Sequence, residues 1–82
     1  MVISKELNNK LHDLVVDYKC LCAYSSVEEM AQYMDYNSDT FKKVCNYMHD
    51  NEVMFRAAQK AILESLCWEI THIIVNELYE NV

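Results

Sequence analysis

The chain has 82 residues, 13 acidic and 7 basic, for a formal net charge of -6 with His neutral, a length that admits one domain, residues 1–82, with a modest core and marginal stability alone. Gly and Pro are both absent, which excludes the usual hairpin turns and phosphate-cradling loops and leaves turns to Asn, Asp and Ser. An apolar fraction of 52% excludes a disordered acidic segment. The expected fold is therefore all-α, a small four-helix domain with a long C-terminal helix.

Residues 3–22 carry Leu7, Leu11, Leu14, Tyr18 and Leu21 at spacings of four and three, which keeps one helix face apolar, with Ser4 as N-cap. Val15 and Cys22 widen this stripe, while Lys5, Lys10, Asp13 and Asp17 solvate the other side. A short helix over 26–34 follows, opened by Ser25 or Ser26, with Glu28 or Glu29 completing a capping box. Its inner face is Val27, Met30, Ala31 and Met34.

Asp35, Tyr36 and Asn37 break the pattern. Ser38 or Asp39 then caps a third helix, 39–49, that buries Phe41, Val44, Cys45 and Met48 and turns Thr40, Lys42, Lys43, Asn46 and Tyr47 outward. His49 to Glu52 form the next interruption, with Asp50 or Asn51 capping a helix over 52–80.

This last helix divides into two apolar faces. Ile62, Leu63, Leu66, Cys67, Ile70, Ile73 and Ile74 make one broad side, and Ala57, Ala61, Trp68, Val75 and Tyr79 make a stripe nearly opposite. Arg56, Lys60, Glu64 and Thr71 separate them on one flank, and Ser65, Glu69, His72, Asn76 and Glu80 on the other. Three upstream helices suffice for one face, so the second reads as a homodimer surface. The alternative is that helix one folds back over it.

The run from Ser26 to Met48 places a small residue, Ala31, inside a helix, Asp35 four positions later at the turn, the apolar Tyr36 next, and the buried pair Phe41 and Val44 three apart in a second helix. This pattern resembles the helix-turn-helix domain of small transcription regulators, over residues 26–48 only. Asp35 stands where that family has Gly. The resemblance implies a helix-turn-helix-like centre, with the third helix in the DNA major groove and Thr40, Lys42, Lys43, Asn46 and Tyr47 facing the duplex. In size, acidity and helical content the chain also resembles small proteins carried by viruses and mobile elements.

Charge argues against DNA as the first choice. Affinity for DNA rests on several phosphate contacts per half-site, whereas residues 25–51 hold Glu28, Glu29, Asp35, Asp39 and Asp50 against Lys42 and Lys43 alone. The expected function is thus that of a small acidic regulatory or accessory protein acting by protein–protein binding as a homodimer, its partner carrying a basic surface. Sequence-specific DNA binding is the alternative. Tyr24, Tyr33, Tyr36 and Tyr47 fit interface anchors, with local packing expected for at least two of them.

No catalytic set, cofactor box or metal site emerges. Cys45 and His49 are four apart, but no paired ligand cluster of zinc spacing accompanies them. No Cys or Ser is tied to a His held by a third group, so an enzyme is not expected. The four cysteines are expected to be reduced and mostly buried. The opening residues lack a basic region followed by an apolar run, and no apolar run is long enough for a bilayer, so a soluble cytoplasmic protein is expected, without membrane contact.

Overall fold

Three serines set where the first three helices begin. In the computed structural model, which describes residues 4–80, the hydroxyl oxygens of Ser4, Ser26 and Ser38 accept the backbone N–H three residues on, at 3.2, 3.1 and 3.1 Å. Each satisfies one of the orphan donors of a helix N-terminus. They open α1 (Lys5–Ala23), α2 (Val27–Tyr33) and α3 (Asp39–Asn51), which precede the 26-residue α4 (Phe55–Glu80). At 1.5 Å per residue α4 is about 39 Å long, which accounts for the longest dimension of the molecule, 43 Å.

The expected start of helix one at residue 3 lies outside the described residues. The break before α4 differs from expectation. Asp50 and Asn51 do not cap α4 but continue α3, whose last turn is closed by bonds from the Glu52 and Val53 N–H groups to the Met48 carbonyl. Glu52 adopts the left-handed conformation, with φ 53°. A helix ending of this kind normally takes Gly, and the chain has none. The carbonyl of Met54 accepts the first helical bond of α4 from the Ala58 N–H, so an apolar residue stands where a capping Ser would be expected.

α4 is the common support. Both α1 and α3 pack along it, and both run antiparallel to it. The end of α1 bonds the first turns of α4, while Lys43, early in α3, reaches Glu69 in the second half of α4. The core joins Leu21, Tyr24, Met30, Val44, Phe55, Ala58, Ile62 and Leu66, with Leu14, Tyr18, Phe41, Met48 and Leu63 among those packed around it. Each fully buried aliphatic side chain here contributes about 1.5–3 kcal/mol. This packing occupies one side of α4 and leaves the opposite stripe uncovered, so α1 does not fold back over it.

Three inward assignments are corrected. Ala31 is exposed, and so are Cys22 and Cys67. Cys20 is exposed as well, so three of the four thiols face outward, and all four are free.

Beside the apolar core, one buried amide ties the end of α1 to the start of α4. Gln59 donates from Nε2 to the carbonyls of Leu21 at 2.7 Å and Tyr24 at 2.8 Å, and its Oε1 accepts from Arg56 Nη1 at 2.8 Å. Arg56 Nη1 also reaches the Tyr24 carbonyl at 3.3 Å. Replacing Gln59→Leu would leave the Tyr24 carbonyl to Arg56 and the Leu21 carbonyl to the long bond from the Tyr24 N–H, and should cost about 1–3 kcal/mol. In a domain of this size that lowers Tm by about 5–20 °C, measured by circular dichroism; a change of a degree or two would mean that water substitutes for the amide. Glu52→Gly should act in the opposite direction, raising stability by about 0.5–1 kcal/mol through relief of the left-handed strain. A fall in Tm instead would assign the Glu52 side chain a stabilising contact.

Candidate functional site

Two surfaces carry the residues singled out in the sequence, and the structure treats them differently. On α3, Lys42, Lys43 and Asn46 are exposed. Thr40 is not: it is 3% exposed, and its hydroxyl donates to Asp17 Oδ2 at 2.7 Å. The reason is local. Thr40 sits one residue inside the first turn of α3, on the side that abuts α1, where the half-buried Asp17 carboxylate also lies close to the positive end of the α3 dipole. Asp17, expected to solvate the outer side of α1, is therefore a tie between α1 and α3. Tyr47 is half-buried and packs against the core.

Lys43 is engaged as well, its Nζ lying 3.1 Å from Glu69 Oε1. This leaves Lys42 and Asn46 as the members of the α3 group that are exposed and not drawn into these contacts. An open groove runs between α1 and α3 with α4 at its floor, where Glu6, Asp13, Asp17, Asp39 and Glu69 outnumber Lys10 and Lys43.

The turn before α3 is built without left-handed backbone. Asp35 Oδ1 accepts the Asn37 N–H at 2.9 Å, and the Asp35 carbonyl accepts the Ser38 N–H at 3.0 Å. Among the described residues Glu52 alone has positive φ. Asp35 thus makes its turn by side-chain bonding, without the dihedrals that favour Gly at that place in helix-turn-helix proteins. Tyr33 and Tyr36 project from either side of this turn, both exposed, whereas Tyr24 is buried.

The second surface is the outer stripe of α4. Trp68 is 75% exposed and Tyr79 80% exposed, with Val75 and Ala57 also exposed and Ala61 half-buried. Glu64, Cys67, Trp68 and Thr71 line a shallow hollow on this face. Two further apolar residues belong to the exposed set and were not assigned from periodicity: Met54, 81% exposed, and Leu78, 49% exposed. The signal for Leu78 is its place three residues after Val75, and for Met54 its place two heptads before Trp68.

Among the described residues, no group of three or more His, Cys, Asp or Glu is arranged to hold a metal ion. No helix among them is long and apolar enough to cross a membrane. Comparisons with protein-family models, with curated proteins and with solved structures give no match to this chain.

Burial holds the Tyr24 phenol above its ordinary range, and the charges of Cys20, Glu29 and Asp17 push it the same way. An unfolded tyrosine ionises near 10, so above that pH the unfolded chain loses the proton first. The corresponding stability is present below about pH 10 and is lost as pH rises through the folded value. Tyr24→Phe should therefore lose less stability than the parent as pH rises above about 10 in denaturant titrations. Parallel pH profiles for the two would remove Tyr24 as a source of alkaline sensitivity.

Proposed function

We propose that this protein is a small acidic regulatory or accessory protein that acts by binding another protein, and that the outer stripe of α4 is where it associates with itself as a homodimer. The observation that carries this reading is Trp68, three-quarters exposed on a helix whose other side is already packed. Large aromatic side chains bury about 150–250 Å² each and are the usual anchors of protein interfaces. Trp68, Val75 and Tyr79 lie within about 20° of one line on a helix of 3.6 residues per turn, so one partner surface reaches all three.

The acidic groove between α1 and α3 and the exposed pair Tyr33 and Tyr36 support a second, heterologous partner with a basic face. Sequence-specific DNA recognition through α3, on the helix-turn-helix reading, is the subordinate proposal. Exposure of Lys42 and Asn46 favours it. The engagement of Thr40 by Asp17, the ion pair of Lys43 with Glu69 and the net charge of -6 weigh against it.

Light scattering tests the dimer. The parent protein should give twice the chain mass, and Trp68→Glu combined with Val75→Lys should give the chain mass with helicity unchanged. A double variant that stays dimeric with an intact fold would remove this stripe as the interface. The chain has one Trp, so the emission of Trp68 should also shift to the red on dilution of the parent.

A further inference from the structure

One series of residues on the outer side of α4, beginning at Met54 just before it, follows a stricter rule than a stripe at 100° per residue. Met54, Ala57, Ala61, Glu64, Trp68, Thr71, Val75 and Leu78 succeed one another at spacings of three and four throughout, the 3.5-residue period of a coiled-coil seam. All but Ala61, which is half-buried, are exposed. The seam is graded: two alanines lie in its first half, and Trp68, Val75 and Leu78 in its second.

Resting on the dimer reading above, we propose that the occupant of this seam is α4 of a second copy, laid antiparallel, with the two-fold axis passing over the outer surface level with Leu66. In this register Met54 faces Leu78 of the second copy, Ala57 faces Val75, Ala61 faces Thr71, and Glu64 faces Trp68. Each alanine thereby meets a β-branched residue, and the separation of the helices stays even at the usual 8–10 Å. Glu64 lays its methylenes on the indole while its carboxylate stays at the rim.

A parallel pair fails on the same residues. It stacks Ala57 on Ala57 and Ala61 on Ala61, leaving the first half underfilled, and forces Trp68 onto Trp68 two layers later. It also sets Glu64 against Glu64 within the seam, where like charges repel.

The helix dipoles agree with the antiparallel choice. The first half of α4, residues 55–67, has Arg56 and Lys60 against Glu64, whereas residues 68–80 have Glu69, Glu77 and Glu80. Glu69 is already paired with Lys43 and Glu77 is buried, so it is the favourable opposition of the two macrodipoles, rather than ion pairing, that supports the antiparallel choice.

The available area suits a second copy. From their fractional exposures, the seam residues Met54, Trp68, Val75 and Leu78 together with the flanking Tyr79 offer at most on the order of 700 Å² per copy, of the size of the roughly 800 Å² that each partner contributes to a standard interface.

Site-directed cross-linking tests the orientation. In protein carrying Cys20→Ser, Cys22→Ser and Cys67→Ser, Ala61→Cys is introduced in one preparation and Thr71→Cys in another, and each is treated with a bismaleimide of about 8 Å span, alone and mixed. Like positions lie ten residues apart along the antiparallel pair, about 15 Å, beyond that span.

The mixture should therefore give a cross-linked dimer, mapped by mass spectrometry to positions 61 and 71, at least several-fold above either preparation alone. Equal or greater cross-linking of Ala61→Cys with itself would overturn the antiparallel arrangement while leaving the α4 dimer standing. A dimeric mass with no cross-link at either position would overturn this register. A monomeric mass for the parent protein would remove the homodimer reading, and this inference with it.

Discussion

The fold depends on how α1 is allowed to end. A helix leaves its last carbonyls without partners, and the common solution, a left-handed Gly beyond the last turn, is closed to a chain that has no Gly. Tyr24 instead leaves α1 in extended conformation with only a long bond from its own N–H to the Leu21 carbonyl, and the amide of Gln59 adds the short bonds to both Leu21 and Tyr24, the latter shared with Arg56. A local problem of one helix is thereby solved by another helix thirty-five residues on. These bonds hold the end of α1 against the first turns of α4, on the side where Phe55, Ala58, Ile62 and Leu66 enter the core.

Once that side is chosen, the rest of the surface is determined by exclusion. α3 takes the remaining flank of the core, tied to α1 by Thr40 and Asp17 and to α4 by Lys43 and Glu69. Both ties draw polar groups off the face that a DNA-reading helix would present. The opposite side of α4 receives no helix, so Trp68, Val75, Leu78 and Tyr79 stay in water. The same constraint that organises the interior thus creates the surface on which the proposed association rests.

Helix existence, and the capping residues of the first three helices, were legible from local chemistry. Ser4, Ser26 and Ser38 act on the N–H three residues away, and such short-range bonding leaves a mark that sequence alone carries. The ending of α3 was not legible in the same way, because Asp50 and Asn51 are good capping types and nothing local says that a glutamate will accept left-handed backbone. Gln59 and Asp17 were missed for a related reason. Both are polar residues beside apolar stripes, and their burial depends on carbonyls and hydroxyls from distant helices. The exposed set on α4 was legible in part: Trp68, Val75 and Tyr79 fall together at 100° per residue, whereas Leu78 and Met54 join them on the 3.5-residue period.

The sequence by itself determined an all-α chain, four helices with a long last one, and the presence of two apolar faces on that helix, because helical periodicity and the absence of Gly and Pro are properties of neighbouring residues. Only the tertiary structure decided which of the two faces is interior, which polar residues are buried, and that Thr40 and Ala31 exchange the sides expected of them. Those choices are made where one helix meets the unsatisfied groups of another, and no local pattern records that meeting.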